Sequence, residues 1–398
     1  MNALEKSLRI IPFAKPRLLR LSRAYGQYVW DEAGRKYLDC HTGHGAAFLG
    51  HRNPKVVESI KHQMDVIMTA TPAFQTDIAD EVLSKLSRIL PSGMGYVYFL
   101  NSGSEAVELA MKIARKVTGR KRFVAFRNSF HGRTMGALSV TWNPRYREGY
   151  EPFPWETRFI PYNDADAVTS AVDESVAAVL LEPVQGEGGL TPATQGFARA
   201  LAEACEGAGA FLIVDEVQAG FGRTGRVWAH EHLNIKPDIL VAGKSIGGGF
   251  PVSMVAVRSS IGERLREAEH GSTHGGNPLA LAAVSGGIDV LIGDSVPSKS
   301  SLLGEKLSAE LKKVVERCTH AARGVKGMGL MLGIELRFSP EEVIRELQTK
   351  GLLCLKAGAT VLRLLPPYLI NDEDIRLCSE LIEEVLSSWK PEKGGSGA

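Results

Sequence analysis

Between residues 76 and 290 the chain alternates short apolar runs with stretches of helical periodicity. The runs are YVYFL (96–100), KRFVAF (121–126), AAVLLEP (177–183), AFLIVDE (210–216), DILVAGK (238–244) and VSMVAV (252–257). Helical spacing lies between them, for instance over 105–117 and 196–208. Runs that are apolar on both faces and separated by helices predict a largely parallel sheet covered on both sides. Ligands in such sheets bind at the carboxyl ends of the strands, so the polar residues that close each run are the ones to inspect.

The flanks read differently. Upstream, GQYVWDEAGRKYLDC alternates apolar and polar positions around Asp-Glu-Ala-Gly and predicts a hairpin. HTGHGAAFLGH then reads as a loop leading into a helix over PKVVESIKHQMDVI. Downstream, an amphipathic helix over 302–318, a glycine-punctuated hairpin in GVKGMGLMLGIEL, the run VLRLLPPYLI and a last helix over 372–389 form an α+β unit. The division expected is a large domain over 51–295 and a smaller one over 296–390 that also takes in residues 1–50. The polar tail 391–398, EKGGSGA after Pro391, is expected to be disordered.

A chain of 398 residues is too long for one simple core, which agrees with two domains. Apolar residues make up 44% and charged residues 23%, and the net charge is only +2, so bulk electrostatics give no case for nucleic acid or a membrane surface. No uncharged apolar run approaches the roughly 20 residues that span a bilayer. The N-terminus lacks a signal-peptide core. Cys40, Cys205, Cys318, Cys354 and Cys378 have no CxxC spacing and read as buried free thiols of a reducing compartment, with the cytoplasm as the default. A basic segment, Arg9, Lys15, Arg17, Arg20 and Arg23, reads either as a solvated surface or as an attractor for an anionic partner. His41 and His44 have no acid or cysteine cluster to complete a metal site.

Five strand ends carry the candidate chemistry. NSGSEA closes the first run and opens a helix at Glu105; Gly103 and Ser104 then read as an anion site at a helix N-terminus, with a plain Ser102–Glu105 capping box as the alternative. FRNSFHGRTMG offers Phe130 to stack on a flat ligand and Arg133 to clamp a carboxylate, against a core phenylalanine and a solvated arginine. LEPVQGEGG places Glu182 and Glu187 at another strand end, and DEVQAGFGRTG adds Asp215, Glu216, Val217 and Gln218. AGKSIGGGFP presents Lys244 ahead of three glycines. A phosphate-loop reading of GKS fails, because position 238 is aspartate where that motif needs glycine. A glycosidase reading of the two glutamates leaves the lysine and the anion turn unexplained.

One ligand meets every requirement. Pyridoxal 5′-phosphate needs a phosphate cradle, a stacking aromatic, a carboxylate on a cationic ring nitrogen and a lysine to bond its aldehyde.

The ordered set NSGSEA, FHGRT, EPVQGEGG, DEVQAGFGRTG, GKSIGGGFP, HGSTHGGNPLA and LRLLPP resembles the class III pyridoxal-phosphate aminotransferases over residues 9–390. It is most similar to the acetylornithine branch. Within that branch, DCHTGHGAAFLGHRNPKVVE and GRTMGALSVTWNPRYREGYEPF resemble the aminotransferases of carrier-protein lysine biosynthesis, which act on an intermediate attached to a small acidic amino-group carrier protein. The resemblance implies a fold-type I α/β homodimer whose sites are shared between subunits. Lys244 is then the cofactor-bonding lysine and proton shuttle. Asp215 pairs with the ring nitrogen, with Glu216 beside it; Gln218 bonds the ring hydroxyl, and Val217 packs opposite Phe130. Gly103 and Ser104 hold the phosphate, and Thr273 reaches the phosphate of the neighbouring subunit. Ser272 and Arg133 contact substrate. Arg363 binds the α-carboxylate of glutamate or 2-oxoglutarate, and Glu187 neutralises Arg363 when the substrate presents a distal amine. His274 stands where the family usually has an aromatic, and Ser104 where threonine is common. Free acetylornithine is the alternative substrate, and an aminomutase or decarboxylase the alternative reaction.

Overall fold

The computed structural model describes Ile11, Phe13 and residues 16–389. Arg9, Lys15 and the tail 391–398 lie outside the described residues. The chain opens with three antiparallel strands, β1 (Leu21–Tyr25), β2 (Tyr28–Asp31) and β3 (Lys36–Asp39), so the expected hairpin is β2–β3. The central strands follow as β4 (Met94–Leu100), β5 (Arg122–Phe126), β6 (Glu156–Ile160) and β7 (Val176–Leu181). A short ribbon of β8 (Val184–Gln185) and β9 (Thr191–Pro192) precedes β10 (Phe211–Asp215), β11 (Ile239–Ala242) and β12 (Ser253–Arg258).

These build a seven-stranded sheet in the order β4-β12-β11-β10-β7-β5-β6. Only β12 runs against its neighbours, so the sheet is mostly parallel, as the apolar runs predict. Every residue of β7, β11 and all but the first of β10 is buried, which is why these strands read as unbroken apolar runs. The pattern does not reveal β6. It is an edge strand, ETRFI, with charged residues on its exposed positions, and it lacks the two-faced burial that marks the others.

After the sheet, the helix Pro278–Gly293 is buried nearly all round. A side chain at Gly286 would come within 2.9 Å of the backbone of Lys55 and Val56, so glycine lets this helix lie directly on the helix Pro54–Val66. No single helix among the described residues is long and apolar enough to cross a membrane. The next helix, Val296–Arg317, starts six residues before the predicted 302–318; its first turn carries proline and serines rather than the apolar spacing that marks the rest. The remaining strands are β13 (Ala322–Met328), β14 (Met331–Leu336), β15 (Leu352–Leu353), β16 (Leu355–Ala357) and β17 (Val361–Leu364), and the last helix is Asp372–Ser388. β15 pairs in parallel with β3, which ties the two ends of the chain together, and β13-β14-β17-β16 form a separate sheet. All five cysteines are buried and unpaired.

Candidate active site

The carboxyl ends of β4, β7, β10 and β11 converge on one pocket of about 160 Å³, lined among others by Gly103, Ser104, Phe130, His131, Glu182, Glu187, Asp215, Val217, Gln218 and Lys244. β4 runs out at Leu100, and the helix Gly103–Thr118 starts three residues later. Its capping box forms: Ser102 Oγ accepts from Glu105 N at 3.3 Å, and Glu105 Oε2 accepts from Ser102 N at 2.7 Å. The box does not exclude an anion site. It satisfies two donors and leaves the first helical turn, Gly103 and Ser104, facing the pocket at the positive end of the helix dipole. A Cβ on Gly103 would lie 2.8 Å from Val217, and one on Gly132 would lie 2.4 Å from Ser104 Oγ, so both glycines are needed for this close approach.

Asp215 is the last residue of β10 and is 5% exposed. Its Oδ1 accepts from Val217 N at 3.0 Å, while Oδ2 lies 2.8 Å from His131 Nδ1. His131 is held in turn by Thr141, whose Oγ1 accepts from His131 N at 2.9 Å. Burial disfavours the imidazolium, but the bond to Asp215 and the charges of Asp215 and Glu182 outweigh it and raise the histidine pKa. His131 Nε2 is buried without a partner. Glu182 carries the chain past Phe130: its oxygens accept from Phe130 N at 3.0 Å and Gly186 N at 3.1 Å. Burial, reinforced by the charge of Asp215, pushes the Glu182 carboxyl up to about 7. Sequence reading assigned no role to His131 and left Glu182 as a strand-end acid; the signal available for both was their place in FHGRT and LEPVQ.

Glu216 is a correction. Successive residues leaving a strand point to opposite sides, and Glu216 turns away from the pocket that Asp215 faces. Its carboxylate accepts from Ala229 N at 2.9 Å and His230 N at 2.8 Å and pairs with His230 Nδ1 at 2.9 Å. It braces the loop after β10.

Behind the lining residues Glu187 and Gln218, Arg363 projects from β17 with its side chain wholly buried. Its Nη1 lies 2.7 Å from Glu187 Oε1 and donates to Gly186 O and Gln218 Oε1, both at 3.0 Å. Nε and Nη2 have no partner among the described residues. Burial raises the Glu187 carboxyl, but Arg363 more than offsets this and holds it below its ordinary value. Lys244 follows an extended Gly243 and adopts φ +45°, a left-handed conformation unusual for a side chain with a Cβ and a form of strain found at functional sites. Burial lowers its ammonium to about 8.

Besides Glu216 and Arg363, three expected site residues are not among those lining this pocket. Arg133 is exposed, with its guanidinium 3.8 Å from the ring centroid of Tyr146 and 5.8 Å from that of Phe130. Ser272 Oγ accepts from Gly275 N at 3.0 Å, and Thr273 is exposed. Phe130 and Glu187 also line a second, outer cavity of about 650 Å³, bounded by Asn128, Trp142, Arg145, Tyr146 and Lys356.

The donors and walls fit pyridoxal 5′-phosphate. The free helix terminus with its two enforced glycines suits a phosphate, Phe130 and Val217 line a flat slot, Asp215 supplies an anion and Lys244 an amine of lowered pKa.

Comparison with known proteins agrees. The aminotransferase class-III family model matches residues 12–386. The chain is 50% identical to the [LysW]-aminoadipate semialdehyde/glutamate semialdehyde transaminase of Sulfurisphaera tokodaii, over 94% of this chain and 96% of that one. It is 40% identical to the acetylornithine aminotransferase of Methanopyrus kandleri, over 91% and 93% of the two chains. The solved ornithine aminotransferase of Toxoplasma gondii, reported with partial occupancy of pyridoxal phosphate at its active site, superposes with a TM-score of 0.90 at 30% identity, covering 95% of this chain and 91% of that one. The chain belongs to the class III aminotransferases, pyridoxal-phosphate-dependent enzymes of α/β fold.

Proposed function

We propose that the enzyme moves the terminal amino group of a carrier-protein-linked lysine, and of the corresponding ornithine, to 2-oxoglutarate, and runs in reverse during biosynthesis. The observation that carries this reading is the Glu187–Arg363 pair, 2.7 Å apart, whose carboxylate lines the Lys244 pocket. A pocket that must take both an α-amino acid and a distal amine needs a cation for the α-carboxylate and a means of hiding it. Arg363 is the cation. Glu187, whose side chain is 25% exposed, is the group free to move off it.

Bound pyridoxal phosphate supplies the electron sink and carries the amino group between the two half-reactions of a ping-pong cycle. The chain's residues do the rest. Gly103 and Ser104 hold the phosphate with backbone N–H groups. Phe130 and Val217 would confine the ring, and Asp215, aimed by His131, would pair with the ring nitrogen. Gln218 orients Arg363 through its Oε1 and bonds the ring hydroxyl through its amide. Lys244 would hold the cofactor through its amine and, as a base of lowered pKa, would move the proton at the substrate's amine-bearing carbon. An amine of pKa about 8 is poised for that exchange near neutral pH.

Ser272 and Thr273 enter through a homodimer, whereas Arg133 meets the arriving substrate from its own chain. Thr273 does not line the pocket of its own chain, and exposed apolar side chains, Met64, Met68 and Phe74 among them, mark a surface that a second copy would cover. The same reading divides the chain into a large domain over 51–295 and a small one over 296–390 joined by residues 1–50, supported by the β3–β15 pairing. The unpaired buried thiols favour a reducing cytoplasm.

Free acetylornithine is the second reading, favoured by the 40% identity to the Methanopyrus kandleri enzyme. Comparing kcat/KM for carrier-linked lysine with that for free acetylornithine separates them. Preference for the carrier-linked form is expected; a preference of a few hundredfold for the free amino acid overturns the assignment.

A further inference from the structure

The inner pocket and the outer cavity share Phe130 and Glu187, so the larger space adjoins the one that holds Lys244. At about 650 Å³ that space is of the size that holds drug-sized ligands, far more than glutamate requires. It suits an amine delivered on the end of a long arm, with the body of the molecule outside.

The surface beside the cavity is basic: Arg145 lines it, Arg127 adjoins its lining residue Asn128, and Arg133 lies on its lining residue Tyr146. Arg127, Arg133 and Arg145 are all exposed, and none has a carboxylate within 4.0 Å among the described residues. Two are ordered by aromatic rings instead: Arg127 lies 5.9 Å from the centroid of Trp142, and Arg133 3.8 Å from that of Tyr146. Some arginines elsewhere are answered by acids, as in Arg122–Glu156 at 2.7 Å and Arg317–Glu383 at 2.8 Å, and others, Arg23 on Trp30 among them, are not; what sets these three apart is their grouping on or next to the cavity's lining residues Asn128, Trp142 and Tyr146. With a net charge of only +2, three unanswered guanidinium groups around one opening are a local concentration that the bulk charge does not explain. The ring contact orders Arg133 in particular and leaves its side chain less entropy to lose on docking.

The N-terminal segment is the competing surface, and its geometry weakens it. Arg17 is half-buried and donates to Cys354 O, Arg20 pairs with Glu32 at 3.4 Å, and Arg23 lies on Trp30 at 4.4 Å. Arg17, the residue nearest the core, holds the fold together rather than waiting for a partner.

We propose that the rim formed by Arg127, Arg133 and Arg145 is the docking surface for the acidic body of the amino-group carrier protein, with the outer cavity admitting its substrate-bearing arm. This rests on the carrier-linked reading of the function. Surface charges of this kind act mainly on encounter and KM and are screened by salt.

The test uses holoenzyme and the double variant Arg127→Gln/Arg145→Gln, which leaves Arg133 and the inner pocket intact, with a thermal melt to show that the variant is folded. With carrier-linked lysine, kcat/KM is expected to fall roughly 10- to 100-fold through KM and to lose most of its salt dependence. With free acetylornithine it is expected to change less than about twofold, and Arg127→Lys/Arg145→Lys should recover most of the carrier rate because steering needs charge more than shape. An equal fall for both substrates, or no fall for the carrier-linked one, overturns the proposal. If wild type prefers free acetylornithine, the substrate reading fails separately. Anisotropy titration of the labelled carrier protein then decides the rim: salt-sensitive binding lost in the double variant upholds it, and unchanged or absent binding overturns it.

Discussion

The inner pocket and the outer cavity sit back to back across Phe130 and Glu187, yet they are built on opposite plans. Inside, charges are answered at short range: Glu187 by Arg363 at 2.7 Å and Asp215 by His131 at 2.8 Å. Asp215, His131 and Arg363 are buried, where an unpaired charge is expensive and geometry is held by packing. Outside, Arg127, Arg133 and Arg145 come from the segment between β5 and β6 and carry no acidic partner, and the first two lie near aromatic rings. Chemistry needs preorganised, desolvated charge, and capture of a partner needs charge left over. The two adjoining cavities separate those demands.

Breaking the inner plan at its centre should have the largest effect. Lys244→Ala is expected to lower kcat by on the order of 10³–10⁴-fold or more, since it removes both the cofactor bond and the proton shuttle. Borohydride should fix the cofactor to the wild-type chain at Lys244 and leave the variant unlabelled, which mass spectrometry of the peptide reads directly. Retained turnover would end the mechanism.

Removing one half of the buried ion pair comes next. Arg363→Ala leaves Glu187 facing a cavity and deletes the α-carboxylate site, a change worth roughly 2–5 kcal/mol for a buried charge pair. Glutamate and 2-oxoglutarate should lose kcat/KM far more than the distal-amine substrate does in a single-turnover half-reaction. Equal losses would remove Arg363 from the switch.

The third effect is on pH. Glu182 has its folded pKa raised to about 7 from an ordinary value of 4.5, so the folded apoprotein holds a proton that the unfolded chain has released. Its contribution is complete below about pH 4.5 and is lost as pH rises through 7, a span of about 3 kcal/mol before neighbouring groups relax. His131, also raised, acts in the same direction and loses its contribution as pH rises through its folded pKa. Denaturant unfolding of apo Glu182→Gln should therefore vary less between pH 4.5 and 7 than wild type. An unchanged slope would mean that Glu182 ionises normally.

The smallest expected effect sharpens the boundary of the site. Ser102→Ala removes the cap oxygen of the helix Gly103–Thr118 and should cost about 1 kcal/mol of stability. Cofactor affinity, measured by titrating the apoenzyme, should weaken only slightly, because Gly103 and Ser104 do the holding.

Strand-end chemistry was legible because parallel strands buried on both faces are long apolar words, and a polar residue closing one stands out. FLIVD and ILVAGK delivered Asp215 and Lys244 in this way. The edge strand Glu156–Ile160 was not legible, since half its positions face solvent and carry charge. Glu216 was misplaced for a local reason: it adjoins Asp215 in sequence, but alternation turned it to the other side, onto His230. The docking role of Arg17 faded once its guanidinium was found on Cys354 O, a partner 337 residues away.

By itself the sequence determined the kind of sheet, which residues end its strands and, through their order, the family and its cofactor. These follow from hydrophobic periodicity and local motif, which need no knowledge of distant contacts. Tertiary structure decided which charges are spent on one another. Arg363 meets Glu187 and Gln218, His131 meets Asp215, and three arginines meet no acid, because solvent exclusion and Coulomb energy act through space between segments up to 177 residues apart.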